Sequence, residues 1–159
     1  MELSDKNIRY LAMDVDGTLT DGKINMSASG EVFKSFNIKD GYAIHEILPK
    51  VNITPVIITG RTSDIVKNRA KELGIDKVFQ GVLDKTEALK SVTADLSQVA
   101  FIGDDLNDLD CMKAVKAAGG IVGCPADAAK EAKDIADFVS NKDGGNGAVR
   151  EFIDWLIKG

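Results

Sequence analysis

Short apolar runs and helical repeats alternate along this chain. Residues 8–13 form an apolar run of the kind required by a strand buried on both faces. Further strands are predicted at 53–58, 77–79, 99–102, 120–122 and 136–139. Apolar positions recurring every three or four residues predict helices over 40–48, from Ser63 to about Leu73, and over 86–94, 107–118, 127–133 and 148–157. The punctuation agrees: Pro49 stops the first helix, Ser63 caps the second and Gly74 ends it. Residues 23–26 and 31–36 flank Ser27-Ala28-Ser29-Gly30 and predict a β-hairpin. Strands alternating with helices imply an α/β fold, a parallel sheet covered by helices on both faces.

The spacing leaves no room for an inserted unit. Residues 19–58 are filled by the hairpin and one helix, and residues 61–84 by one helix and one short strand, so neither stretch can hold a domain of ordinary size. The expectation is one domain over residues 1–159 with a hairpin flap and no cap domain. A pocket in such a fold stays open unless another subunit covers it.

Composition narrows the partners. A chain of 159 residues with 44% hydrophobic and 28% charged residues reads as an ordinary soluble protein. Its net charge of −5 argues against a nucleic-acid partner, which needs a basic face. No apolar run reaches the length of a membrane span, and Met1-Glu2-Leu3-Ser4-Asp5 lacks a basic-then-apolar signal, so no membrane partner and a cytoplasmic location are expected. Cys111 and Cys124 have no paired spacing and read as buried small hydrophobes rather than zinc or redox ligands. His45 is the single histidine, and nothing around it supports a histidine-based triad.

The candidate chemistry gathers where strands end. Asp14-Val15-Asp16-Gly17-Thr18 follows the first strand directly, and carboxylates two apart project from one side of an extended chain. In open α/β sheets ligands bind at the carboxyl ends of strands. Two carboxylates there suit a divalent cation and an in-line attack on phosphorus. The strand 53–58 ends in Thr59-Gly60-Arg61, where a hydroxyl can donate to a phosphoryl oxygen. Lys85 opens a helical pattern, although lysines favour the last helical turn, and an ammonium fixed there can neutralise phosphate. The strand 99–102 ends in Gly103-Asp104-Asp105-Leu106-Asn107-Asp108, a second acidic handover from strand to helix.

With DVDGT, ITGR, the DK of GVLDK, and GDDLND in this order, the sequence resembles the haloacid dehalogenase superfamily of phosphohydrolases over nearly its whole length. The stretches DVDGTLTDG, FNIKDGYAI, TGRTSDIVKNRAKELGI and GGNGAVREF carry a narrower likeness to its capless octulosonate phosphatases. That resemblance implies a Rossmann-like fold and a homotetramer. It also implies a Mg²⁺-dependent phosphatase for an acidic 2-keto-3-deoxy sugar phosphate, the eight-carbon precursor of lipopolysaccharide. Two rivals are a phosphatase for the nine-carbon ulosonate and a non-catalytic oligomerisation module. The first tends to carry glutamate at Arg61, and the second has no reason to keep the acidic residues, Thr59 and Lys85.

Residue by residue, the resemblance makes Asp14 the nucleophile and Asp16 the acid and base, with Thr59 and Lys85 holding the phosphoryl group. The Mg²⁺ ligands would be the Asp14 carboxylate, the Asp16 backbone carbonyl and Asp104. Asp108 would position Lys85 or a metal-bound water, and Asp105 is either a supporting residue or simply exposed. Substrate contacts are expected from Asn37, Ile38, Lys39, Asp40, Gly41, Arg61 and Arg69, the two arginines facing one ligand from positions eight apart. His45 stands where octulosonate phosphatases commonly carry arginine, as a ligand or as a packed or solvated side chain. The stretch 143–147 is a flexible linker or, by the resemblance, a tail that enters an adjacent subunit's site with Arg150 as its charged element.

Overall fold

Side-chain alternation in the central strands decides which residues meet which layer. The computed structural model describes residues 3–159. β1 (Tyr10–Met13) lies between β4 (Thr54–Ile58) and β6 (Val99–Ile102). β5 (Lys77–Phe79) flanks β4, while β7 (Ile121–Cys124) and then β8 (Phe138–Val139) extend the sheet beyond β6. All pairings in this six-stranded sheet are parallel. Leu11, Met13, Ile57 and Ile102 face one core, shared with Val66 and Ala70 of α2 (Asp64–Glu72) and Val149, Phe152 and Ile153 of α6 (Ala148–Lys158). Ala12, Val56, Ile58 and Phe101 face the other. That layer is closed by Leu89 of α3 (Lys85–Val92), Met112 and Val115 of α4 (Leu109–Ala117) and Ala132 of α5 (Lys130–Ile135).

α6 is held by its apolar face. Phe152 stacks on Phe138 at 5.6 Å and Trp155 on Phe138 at 4.9 Å. Burying each such large side chain is worth about 1.5–3 kcal/mol. The predicted hairpin is present as β2 (Asn25–Ser27) and β3 (Gly30–Phe33), antiparallel, with a bridge between Thr20 and Phe36 closing its base. Between β1 and β4 the chain holds only this hairpin and a helical segment, so no cap is inserted.

The helical segment departs from the predicted 40–48. It starts earlier, as α1 (Ile38–Tyr42), because Asn37 Oδ1 accepts from the Lys39 and Asp40 N–H groups at 2.9 and 3.2 Å. It then widens into a π-turn at Ala43–Ile47 and tightens into a 3₁₀ turn at Leu48–Val51. Pro49 does not stop it, because the first turn of a 3₁₀ segment needs no N–H there. Asn52, in the left-handed region at φ 57°, ends it instead. The predicted 127–133 helix begins only at Lys130, and 107–118 divides into a 3₁₀ turn, Leu106–Asp108, followed by α4. α3 starts at Lys85 because the Asp84 carboxylate caps it through the Glu87 N–H.

Candidate active site

Strand register brings the acidic turns together. Met13 lies level with Ile57 on one side and Ile102 on the other, so Asp14, Thr59 and Asp104 all follow strands ending at the same sheet edge. They line one pocket with Asp16, Gly60, Arg61, Asp105 and Asn107. The Asp14 N–H donates to the Ile102 carbonyl at 3.1 Å, and the Thr59 N–H donates to the Phe79 carbonyl at 2.9 Å, so both turns are fixed by the sheet ladder. Gly17 has φ +86°, and a Cβ there would fall on the Asp104 carboxylate; only glycine lets the two acidic turns approach this closely.

The buried charges form one network. Lys85 Nζ donates to Asp14 Oδ1 at 2.9 Å and to Asp108 Oδ1 at 2.7 Å. Burial works to lower the Lys85 pKa, but Asp14 and Asp108 outweigh it and hold the ammonium above its ordinary value. Asp108 Oδ2 accepts the Asp104 and Asp105 N–H groups at 3.0 and 3.3 Å, so both its oxygens are engaged and it orients Lys85. Burial, then the charges of Asp14 and Lys85 acting in opposite directions, leave its carboxyl at about 6. Asp104 accepts from the Thr18 hydroxyl at 3.1 Å. Burial and the neighbouring Asp14 push the Asp104 carboxyl up to about 9.

This crowding fits a cation. Carboxylate oxygens of Asp14, Asp104 and Asp108 lie within 4.8 Å of one another, and one lysine cannot neutralise all three. With Asp108 engaged by Lys85 and two N–H groups, Asp14 and Asp104 remain as donors. An all-oxygen donor set without thiolate or imidazole suits Mg²⁺ rather than zinc.

The pocket collects Asp14, Asp16, Thr59, Arg61 and Asp104, and Lys85 and Asp108 stand behind it. Asp105 is exposed and caps the 3₁₀ turn through the Leu106 N–H. The second group of expected residues lies elsewhere in the same chain. Arg69 pairs with Glu72 at 3.2 Å, sits 5.5 Å over the Phe36 ring and packs under Gly41, so it does not share the pocket with Arg61. Asp40 is turned inward, accepting the Arg150 N–H at 2.9 Å in the first turn of α6. Burial raises its pKa to about 6, against the pull of that N–H and of Arg69 and Arg150. Ile38 and Lys39 are exposed and Asn37 is the cap of α1. His45 is 51% exposed and pairs with Glu46 at 2.9 Å, away from the pocket.

The stretch 143–147 corrects the linker reading given to it. It is not a loose linker: the Gly144 N–H donates to Asp127 Oδ1 at 3.0 Å and the Gly145 N–H to the Thr18 carbonyl at 3.2 Å. A Cβ on Gly144 or Gly145 would collide with the chain's own backbone at Gly17 or Thr20–Asp21, so the stretch packs closely on the turn after β1. It braces the turn that carries Asp14 and Asp16. Arg150 Nε binds Asp154 at 3.1 Å and its guanidinium lies over the Tyr42 ring.

The pairing of Lys34 with Asp16, of Glu31 with Arg61, and of Thr18 with Asp104 was not legible from the motifs. The one pointer in the sequence is that the hairpin returns its second strand towards the turn after β1, and that becomes informative only once Thr20 pairs with Phe36.

No family model matches the chain. The curated 3-deoxy-D-manno-octulosonate 8-phosphate phosphatase KdsC of Salmonella typhi is 42% identical over 156 residues, covering 96% of this chain and 80% of that protein. The crystal structure of 3-deoxy-D-manno-octulosonate 8-phosphate phosphatase from Moraxella catarrhalis, in complex with magnesium ion, phosphate ion and KDO, superposes with a TM-score of 0.88 at 39% identity. It covers 96% of this chain and 87% of that one. The cobalt-bound deoxy-D-mannose-octulosonate 8-phosphate phosphatase of Haemophilus influenzae gives 0.87 at 36% identity, covering 96% and 88%.

Proposed function

Because the chain belongs to the 3-deoxy-D-manno-octulosonate 8-phosphate phosphatase family of the haloacid dehalogenase superfamily, we propose that it is a Mg²⁺-dependent phosphatase releasing phosphate from that eight-carbon sugar acid. The observation that carries the reading is the buried ammonium of Lys85 on the Asp14 carboxylate, at the strand-end edge where Thr59 and Asp104 converge. A relative holding magnesium, phosphate and the sugar acid together contains both products of the reaction.

Asp14 attacks phosphorus while Asp16 gives a proton to the departing sugar oxygen, leaving an aspartyl-phosphate. Asp16 then takes a proton from the water that cleaves it. Lys85 and Thr59 hold the phosphoryl oxygens, and Asp108 keeps Lys85 aimed. Asp14, the Asp16 carbonyl and Asp104 would hold Mg²⁺, which supplies positive charge against the transferring phosphoryl group. Arg61, 47% exposed at the mouth, is placed to grip the substrate carboxylate.

The test is a panel of sugar phosphates with Mg²⁺, run on the wild type and on Arg61→Glu. Turnover should be fastest on the eight-carbon ester; a nine-carbon ester hydrolysed faster would overturn that choice. Arg61→Glu places a repulsive charge at the substrate carboxylate. It should cost about 10²-fold in kcat/KM on the sugar phosphate and about threefold or less on 4-nitrophenyl phosphate. Equal losses would mean that Arg61 serves the phosphoryl group or the fold.

The assembly we propose is a homotetramer in the cytoplasm, the compartment that retains a charged sugar phosphate. Met26, Val32 and Phe33 on the hairpin, with Ile38 and Tyr42 beyond it, leave large apolar side chains exposed. In such an assembly the exposed Ile38, Lys39 and His45, with Asn37, would serve a neighbouring subunit's substrate, while Asp40, Gly41 and Arg69 stay engaged within their own chain. Light scattering on the purified protein should report four chains; a monomer at micromolar concentration would remove this part.

A further inference from the structure

The hairpin delivers a buried cation that the scheme above leaves without a task. Lys34 follows β3, its side chain is 1% exposed, and its ammonium donates to Asp16 Oδ1 at 2.6 Å and to Glu31 Oε2 at 3.1 Å. Glu31 lies 3.6 Å from Arg61 Nη1. Charges therefore alternate along Asp16, Lys34, Glu31 and Arg61, joining the turn after β1, the hairpin and the turn after β4. An enclosed ammonium is expensive unless carboxylates meet it, so this arrangement is specified by its surroundings. Asp16 itself is 23% exposed. Its Oδ1 is held by Lys34 and its side chain lines the pocket, so the carboxylate cannot rotate freely.

Resting on the acid–base assignment of Asp16 made above, we infer that Lys34 is a positioning residue that aims the Asp16 carboxylate at the leaving-group oxygen, with Glu31 holding Lys34 in place. The hairpin is then part of the proton-transfer geometry and not only a cover. A plain structural ion pair would lower stability when broken and slow every substrate alike. A positioning role has a different signature. An alkoxide cannot leave without a proton, whereas 4-nitrophenolate can.

The test compares kcat/KM, which reports the step that expels the leaving group, for a simple alkyl phosphate and for 4-nitrophenyl phosphate. Neither carries a carboxylate for Arg61. Lys34→Met keeps the length of the side chain and removes the charge. It should cost about 30- to 100-fold on the alkyl ester and about threefold or less on the aryl ester, the low end of what a general acid contributes. Because this variant leaves Glu31 unpartnered, the double variant K34M/E31Q is measured beside it and should show the same selectivity. Equal losses on both esters, in either variant, would overturn the inference. Asp16→Ala separates the two ways of failing. Selectivity in Asp16→Ala but not in Lys34→Met removes the task from Lys34 alone. No selectivity in Asp16→Ala removes the acid–base assignment, and the inference with it.

Discussion

Asp14→Asn should yield a folded protein whose phosphate release falls by about 10⁴-fold or more, the scale seen when a covalent nucleophile is removed. The amide has nearly the shape of the carboxylate but no charge with which to attack phosphorus. The fold should survive because Lys85 keeps its bond to Asp108 and the backbone of residue 14 stays in the sheet ladder. Removing one of three crowded carboxylates also relieves Asp104, whose raised pKa owes much to Asp14. Without metal, the variant should therefore melt no lower than the wild type at pH 8. Circular dichroism melts and a phosphate-release assay check the two halves together. Residual turnover of a few per cent would sink the covalent mechanism.

Chelation should have the next largest effect. Dialysis against EDTA should cut turnover by about 10³-fold, and added Mg²⁺ should restore it, since a bound cation supplies several kcal/mol of transition-state charge stabilisation. The pKa of about 9 at Asp104 adds a second readout. At pH 7 the metal-free protein holds a proton there that Mg²⁺ must displace. Binding should release close to one proton, and affinity should fall about tenfold for each pH unit below 9. Calorimetry in two buffers of different ionisation enthalpy measures this.

Stability follows the same sign. The unfolded chain loses these protons near the ordinary value of 3.8, whereas the folded one keeps them up to about 6 at Asp108 and about 9 at Asp104. This stabilisation is therefore complete below 3.8 and is lost as pH rises through 6 and then 9. The metal-free protein should melt progressively lower from pH 6 to pH 9, with Mg²⁺ reversing the loss. Activity indifferent to chelator, with no proton released, would remove the metal from the mechanism.

How much was legible in the sequence can be followed residue by residue. The apolar runs at residues 8–13, 53–58 and 99–102 identified the central strands, because a strand buried on both faces must be apolar nearly throughout and ends where polar residues return. Those ends are where Asp14, Thr59 and Asp104 lie, so the acidic turns, the hydroxyl and the opening lysine of α3 could be read as one constellation before any coordinates. Local signals also placed the cap at Ser63, whose partner lies two residues on, whereas the Asp84 cap emerged only with the structure. Pro49 misled, since a proline stops an α-helix but is tolerated in the opening turn of a 3₁₀ segment.

What only the tertiary structure decided are contacts between residues far apart in the chain. Nothing local tells that Lys34 meets Asp16, that Asp40 turns inward to cap α6, or that Gly144 braces Gly17. The spacing of Arg61 and Arg69 allowed one shared ligand, yet Arg61 precedes α2 and reaches the pocket while Arg69 packs against Phe36 within the fold. Periodicity reports which face of an element is apolar, and motifs report which groups stand at its ends. Which distant charge a side chain meets depends on strand order and on the path of each connection, and those are properties of the packed whole.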